Sequence, residues 1–334
     1  MTYNIYISFP KENKIKNFIL TKKNNFFLQQ SLKISGSIQP LLICKKNKLL
    51  YTGIRPFSKI LTCKILSSGR LKIIKELSIL GNSNHLSINL KKKLLFSSSY
   101  SGNCLSVITL NKLGIPQENI QTYFNINGCH YSTSCSNNKL LISSALLSDE
   151  IYFFNIKKKT IYKNKNIKKI VCNKKSGPRH MSIYENKKYK FLYVLNEING
   201  TIDVWNFKHF YTKKKMFHIQ NIKITNIKKK NFWSSDIHIT PCNNYLYATD
   251  RSSHTITLFK INKKKGYLKI LKIYNTETQP RSFCIDEDGK LLIIVGEKSK
   301  YISIYKISKK TGFLNIINRF LIGKNALWVT INKK

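Results

Sequence analysis

Four short stretches concentrate side chains able to act on an anionic substrate. GCH (128–130) carries His130, GPRH (177–180) carries Arg179 and His180, SSDIH (234–238) carries Asp236 and His238, and TQPR (278–281) carries Gln279 and Arg281. Imidazoles and carboxylates move protons near neutral pH, and a guanidinium presents a planar fork of donors matched to carboxylate or phosphate. The arginines are the sharper signal. Only six of the 59 basic residues are arginine, at positions 55, 70, 179, 251, 281 and 319. Lysine serves wherever a plain positive charge suffices and cannot copy the fork, so an arginine kept in such a chain implies planar recognition of an anion.

The elements that must position these stretches are strands. KLLYTGI, KLLFSSSY, KLLISSAL, KFLYVLNE, NYLYATD and KLLIIVGE are short, β-branched or aromatic, and bounded by Asn, Gly or Lys turns. Each is followed closely by a second alternating strand, such as TIDVWNF at 201, TITLFKI at 255 or YISIYKI at 301. No long amphipathic helix is visible. Repeat units begin at 36, 81, 128, 177, 235, 278 and 323, between 43 and 58 residues apart. That period is the spacing of four-stranded propeller blades. The last unit leaves room for one strand (326–331), while the first 35 residues hold three (3–9, 15–20 and 26–34). The expected fold is all-β: one seven-bladed β-propeller domain over 1–334, its last blade closed by N-terminal strands plus the C-terminal strand. Such closure removes a free sheet edge. The long fourth repeat predicts a lysine-rich loop insertion at about 208–231, with His209 and His218 at the surface. Neither WD40 signatures nor a kelch Gly-Gly pair is present.

In a propeller the first strand of every blade lines the central channel, so residues near its start meet around one axis. The repeat register brings His85, His130, Arg179, His180, Asp236, His238, Gln279 and Arg281 into one ring. The turn after the next strand supplies a second ring of Arg55, Tyr100, Leu146, Glu197, Arg251 and Glu297, expected on the same face. Four of the six arginines fall in these rings, which implies a cleft for an anionic ligand of modest size. A second reading stays open: the arginines could merely tie blades together through Glu197, Asp236, Asp250 and Glu297. A metal held by His130, His180 and His238 is the weaker reading, and no metal is expected.

Composition narrows the classes further. The formal net charge is +44 and the pI about 10, which would normally suggest nucleic acid or an anionic membrane. The lysines, however, form short scattered runs (157–159, 213–215, 228–230, 263–265) rather than one stripe, and accompany the Asn, Ile, Phe and Tyr that AT-rich codons specify. No nucleic-acid or membrane partner is expected. Eight cysteines include no CxxC pair and read as reduced, mostly buried fillers. The N-terminus lacks a signal-like apolar segment and nowhere do 18 apolar residues run together, so a cytoplasmic protein is expected, with a monomer favoured. Neither GxGxxG after a strand nor a GKS/T loop occurs, and no cofactor is expected.

GPRHMSIYENKKYKFLYVLNEINGTIDVW (177–205), SSDIHITPCNNYLYATDRSSHTITLF (234–259) and NTETQPRSFCIDEDGKLLIIVGEKSKYISIYKI (275–307) closely resemble the bacterial seven-bladed 6-phosphogluconolactonases of the cycloisomerase-2 family. The likeness extends more weakly through IQP (38–40), GIRP (53–56) and GCH, and ends with LWV (327–329). The resemblance implies hydrolysis of 6-phospho-D-glucono-1,5-lactone, a small phosphosugar lactone, to 6-phospho-D-gluconate. Related propeller enzymes that open or close a muconate lactone use a histidine, two arginines and a glutamate, and the matching motifs here carry His130, Arg179, Arg281 and Glu197. On that basis the catalytic set is Glu197 as base, His130 as alternative base or proton donor, and Arg179 at the oxyanion. Arg281, His180, Arg55, Asp236, His238, Gln279 and Arg251 are expected to bind or orient substrate. Glu185-Asn186 replaces a proline frequent in the family, away from the chemistry, and Leu146 suggests that one side of the cleft is apolar. Two alternatives remain: action on another anionic lactone, and a non-catalytic propeller that binds through its lysine surface.

Overall fold

The computed structural model describes residues 2–135, 138–210, 212–225 and 231–334. Seven antiparallel sheets surround one axis. Blades 1 to 6 span 37–78, 85–123, 129–171, 178–223, 234–275 and 280–321, each starting within four residues of the repeat position read from the sequence. Blade 7 is composite: Trp328–Lys333 is its inner strand, and Tyr3–Phe9, Lys14–Leu20 and Phe26–Lys33 complete it. Tyr3 pairs with Lys333 and Ser8 with Trp328, so hydrogen bonds between the two ends of the chain close the ring. Apart from strands, three short 3₁₀ turns are present among the described residues, and no helix there is long and apolar enough to cross a membrane.

The alternation seen in the sequence explains where the core lies. Middle strands such as Cys104–Leu110 and Leu140–Ala145 are buried on both faces because each blade packs between two others. Outer strands such as Leu71–Ser78 are mostly exposed, with only the first residue fully buried. Apolar clusters fill every junction, for example Leu141 and Phe154 of blade 3 against Phe96 and Val107 of blade 2. The ring closes in the same way, with Ile5 and Val329 of blade 7 against Ile293 and Ile304 of blade 6.

A polar lock recurs between neighbours. Tyr6, Tyr51 and Tyr193 on second strands donate through their hydroxyls to the carbonyls of Gly69, Gly114 and Gly266 in the outer hairpin of the following blade, at 2.7, 2.7 and 3.0 Å. Tyr247 makes the same bond to Gly312. These glycines have φ between +74° and +92°, a turn conformation that side-chain-bearing residues adopt at a cost.

The fourth repeat departs from expectation. Within 208–231, Phe217–Lys223 is not loop but the outer strand of blade 4, paired along Thr201–Asn206. A blade needs that fourth strand to cover its third, and the lysine-rich composition hid it. His218 lies on this strand, exposed, with Nε2 2.8 Å from Asp203 Oδ1, while His209 is half-buried. Residues 211 and 226–230 of that span lie outside the described residues. All eight cysteines are free thiols, six of them buried.

Candidate active site

The inner strands share a local irregularity that decides which side chains meet. In blade 4, Pro178 pairs with Asn196 and Met181 with Val194, so Arg179 and His180 face Leu195 alone. The same slip leaves Ser235 and Asp236 opposite Thr249, Arg281 as an extra residue between Pro280 and Ser282, and His130 as an extra residue between Cys129 and Tyr131. A bulge breaks the strict alternation of strand faces and re-aims side chains. In blade 4 it lets the consecutive Arg179 and His180 both turn inward, Arg179 into the upper cavity described next and His180 among the rings of His85, Tyr131 and Trp328.

The upper residues enclose a cavity of about 230 Å³ lined by Asn84, Tyr100, His130, Arg179, Glu197, Trp233, Arg251 and Arg281. Five of these come from the expected site set, and Tyr100 from the second ring. Asn84 and Trp233 were not anticipated, because both lie just before the strand starts used to set the register. Trp233 has a clear place: its indole Nε1 donates to Glu197 Oε1 at 3.1 Å, and the Arg251 guanidinium stacks 3.8 Å above its ring. Asn84 accepts the Tyr100 amide at 2.9 Å through its side chain.

Glu197 is the hub. Its Oε2 lies 2.6 Å from Arg179 Nε and 3.0 Å from Arg251 Nη2. Both arginines are almost wholly buried at 1% exposure, which is tolerable only with partners. Arg179 also donates to the Ser235 carbonyl, and Arg251 to the carbonyls of Trp233 and Ser234. Arg281 is less committed: its Nη1 stands 3.9 Å from Glu297 Oε2, and its buried Nε has no partner among the described residues. Glu297 borders an adjoining cleft of about 470 Å³ that also includes Lys11 and Gln39.

Positive charge dominates this cavity. Burial pushes the Glu197 carboxyl up, but Arg179, Arg251 and Arg281 outweigh it and hold the group below the usual carboxylate range. Burial, then Arg179, brings Arg281 down to about 10, and burial with the neighbouring cations keeps His130 well below an ordinary histidine. His130 is therefore neutral, its ring 6.1 Å from that of Tyr100 and edge-on to it.

The remaining expected residues lie elsewhere. His180, Asp236 and His238 form a hydrogen-bonded column below the cavity, with His85, Tyr131 and Trp328 packed around His180. Arg55 spends its guanidinium on the Ser83 carbonyl, at 3.2 and 2.6 Å, tying blade 1 to blade 2. Gln279 is held by its backbone, its N–H donating to His254 Nδ1 and its carbonyl accepting from Glu297. Leu146 is buried and does not line the cavity. The sequence register merges these depths because repeats align along the chain and not along the axis. A larger cleft of about 480 Å³ between blades 6 and 7 has an apolar floor and four lysines, with no histidine or carboxylate to do chemistry.

The family model for the seven-bladed β-propeller lactonases matches residues 4–331. The chain is 40% identical over 327 residues to a 6-phosphogluconolactonase of Buchnera aphidicola subsp. Schizaphis graminum, covering 98% of each chain. It is 32% identical over 330 residues to a 6-phosphogluconolactonase of Erwinia tasmaniensis, again covering 98% of each. Among solved structures, a protein of Bacteroides fragilis superposes with a TM-score of 0.87 at 20% identity, covering 99% of this chain and 98% of the other. A periplasmic gluconolactonase of Pseudomonas aeruginosa superposes at 0.86 with 14% identity, covering 99% of both.

Proposed function

The chain belongs to the seven-bladed β-propeller lactonase family, and we propose that it hydrolyses 6-phospho-D-glucono-1,5-lactone to 6-phospho-D-gluconate in the oxidative pentose phosphate pathway. The observation that carries this reading is the single cavity in which three guanidiniums outnumber the carboxylate they surround, beside a neutral histidine. An entering anion relieves the repulsion among those cations, and its charge is recognised in a site shielded from water.

Hydrolysis requires water to attack the C1 carbonyl, stabilisation of the oxyanion, and a proton for the departing ring oxygen. His130 takes a proton from the attacking water and returns it to the ring oxygen as the C1–O bond breaks. The sequence motifs point to Glu197 as this base, yet both its oxygens are engaged, Oε1 by Trp233 and Oε2 by Arg179 and Arg251. Its role in this reading is to hold Arg179 and Arg251 in place. Arg179 stabilises the oxyanion. Arg281, between the cavity and the cleft holding Lys11, takes the phosphate. We place the protein in the cytoplasm as a monomer acting on a small phosphosugar, with neither nucleic acid nor membrane as partner; the eight free thiols agree with a reducing compartment.

The test is proton release from freshly generated lactone, above the spontaneous rate and with EDTA present. Turnover by the parent chain and a fall of roughly a hundredfold in kcat for His130→Gln are expected from the size of general acid–base effects. Parent turnover equal to the spontaneous rate would reject the reading.

A further inference from the structure

Resting on the hydrolase reading, we infer that His180, Asp236 and His238 form a proton relay along the propeller axis, joining His130 in the upper cavity to solvent at the opposite mouth of the channel. His180 Nδ1 lies 2.8 Å from Asp236 Oδ1, and His238 Nε2 lies 3.2 Å from Asp236 Oδ2. The backbone amides of Ile237 and Phe283 donate to the same carboxylate at 3.0 and 3.2 Å and fix its orientation. His238 keeps 43% of its side chain exposed and borders a cleft of about 300 Å³ formed where the inner strands end. The column thus crosses from one face to the other.

Its upper end points at the chemistry. The rings of His130 and His180 lie 5.2 Å apart between centroids. Each ring keeps one buried nitrogen without a partner among the described residues, Nδ1 of His130 and Nε2 of His180. Buried polar atoms in a settled core are ordinarily satisfied, so two neighbouring orphans mark a place where a proton or a bridging water passes.

The reaction needs such an exit. Of the two protons of the attacking water, one ends on the ring oxygen and the other on the new C1 carboxylic acid, which then ionises. A product seated in the upper cavity covers His130, which is 5% exposed even without it. In the relay that second proton passes from the acid to His130 and on to Nε2 of His180. His180 gives its Nδ1 proton to Asp236, the carboxyl passes a proton to Nε2 of His238, and His238 then releases its Nδ1 proton to solvent.

The surrounding charges favour the proton at the solvent end. Burial, then Arg179, holds His180 down to about 4 against the pull of Asp236, and His85 packed beside it is also kept well below an ordinary histidine, by burial and by His180. Tyr131, stacked on His85 with ring centroids 3.9 Å apart and also beside His180, keeps its proton because burial and Asp236 push its phenol up. At the lower mouth desolvation works against charge on His238, but Asp236 outweighs it and raises the group. Lys45 and Glu287 there pair with each other at 2.5 Å, and Asp286 is occupied by the Lys290 and Leu291 amides. Between His180 and His238, burial pushes the Asp236 carboxyl up, but His238 and the hydrogen bond from His180 outweigh it and hold the group well below the usual carboxylate range. Asp236 therefore carries the proton only in passing, and His238, at the solvent end, is where it rests.

His238→Gln tests the relay, because position 238 lies on the far side of the channel and cannot touch a lactone in the cavity. In dilute buffer kcat is expected to fall roughly tenfold with KM unchanged, a modest part of what proton transfer contributes to acid–base catalysis. Added imidazole should restore it. A kcat that does not fall, or that falls without rescue by imidazole, overturns the relay. A second readout needs no substrate: in nitrogen NMR of the histidine rings, the His180 signals of the parent should respond as His238 titrates, and that response should vanish in His238→Gln. Coupled rings in a parent without lactonase activity would sink the hydrolase reading and leave the relay standing. An active parent whose His180 ignores His238 would do the reverse.

Discussion

Arg281 is the cavity guanidinium with least invested in the protein's own carboxylates, and that sets it apart from Arg179 and Arg251. If it holds the phosphate, Arg281→Lys keeps the charge but loses the fork. KM for the phosphorylated lactone should rise roughly tenfold, the worth of one charge-assisted contact, while unphosphorylated gluconolactone is turned over as before. Equal loss on both substrates would move the phosphate elsewhere. His180 gives a second prediction. Its folded pKa of about 4 lies below that of an unfolded histidine, so the unfolded chain binds more protons between the two values. Stability therefore rises with pH across roughly pH 4 to 6.5, and on the order of 3 kcal/mol is lost on acidifying through that window. His238, raised by Asp236, contributes stability that is fully present below the unfolded value and is lost only at higher pH, outside this window. Melting temperatures at pH 6.5 and 4.5 check it; the fall should be smaller in His180→Gln. At this scale the sequence showed which residue types were present. It could not show whether burial or the arginines would win at Glu197, because that balance depends on distances of 2.6 and 3.0 Å.

The inner strand with its bulge, and not the strand alone, is the element that makes the site. Regular alternation would send Arg179 and His180 to opposite faces of the sheet; the slip between Pro178 and Met181 points both to the axis at different depths. The outer hairpins matter differently. Each tyrosine lock crosses a blade junction, so Tyr193→Phe leaves the Gly266 carbonyl buried and unbonded while the ring still packs. The expected cost is about 1 to 3 kcal/mol. Thermal unfolding should shift down by a few degrees with kcat unchanged, since Tyr193 lies outside the cavity. A melting temperature equal to that of the parent would show the lock to be dispensable.

For the whole molecule, closure is the controlling feature. Trp328–Lys333 supplies the inner strand of blade 7, and Trp328 also packs beside His85 and His180 in the channel. A chain ending at Gly323 would strip cover from Ile5 and Ile7 and expose the Tyr3–Phe9 edge. Buried Val329 and Ile331 alone are worth roughly 1.5 to 3 kcal/mol each. Such a truncation should lose cooperative unfolding and associate through the open edge, as calorimetry and size-exclusion chromatography would report. A monomeric, cooperatively melting product would mean that six blades and three strands suffice.

The repeat period, the seven blades and their shared closure were legible in the chain, because each blade buries its strands by the same local alternation and so repeats the same pattern. The sequence by itself also singled out His130, Arg179, Glu197, Arg251 and Arg281 as neighbours, since equivalent positions in a ring meet at the axis. Only the tertiary structure decided depth. It sent His180, Asp236 and His238 below the cavity, spent Arg55 on the Ser83 carbonyl, and brought in Trp233 and Asn84. It also found the outer strand of blade 4 inside a stretch that read as loop. The reason is physical: a bulge changes the direction of a side chain without changing the repeat, and a hydrogen-bond partner from the next blade is a matter of distance in space and leaves no mark on spacing along the chain.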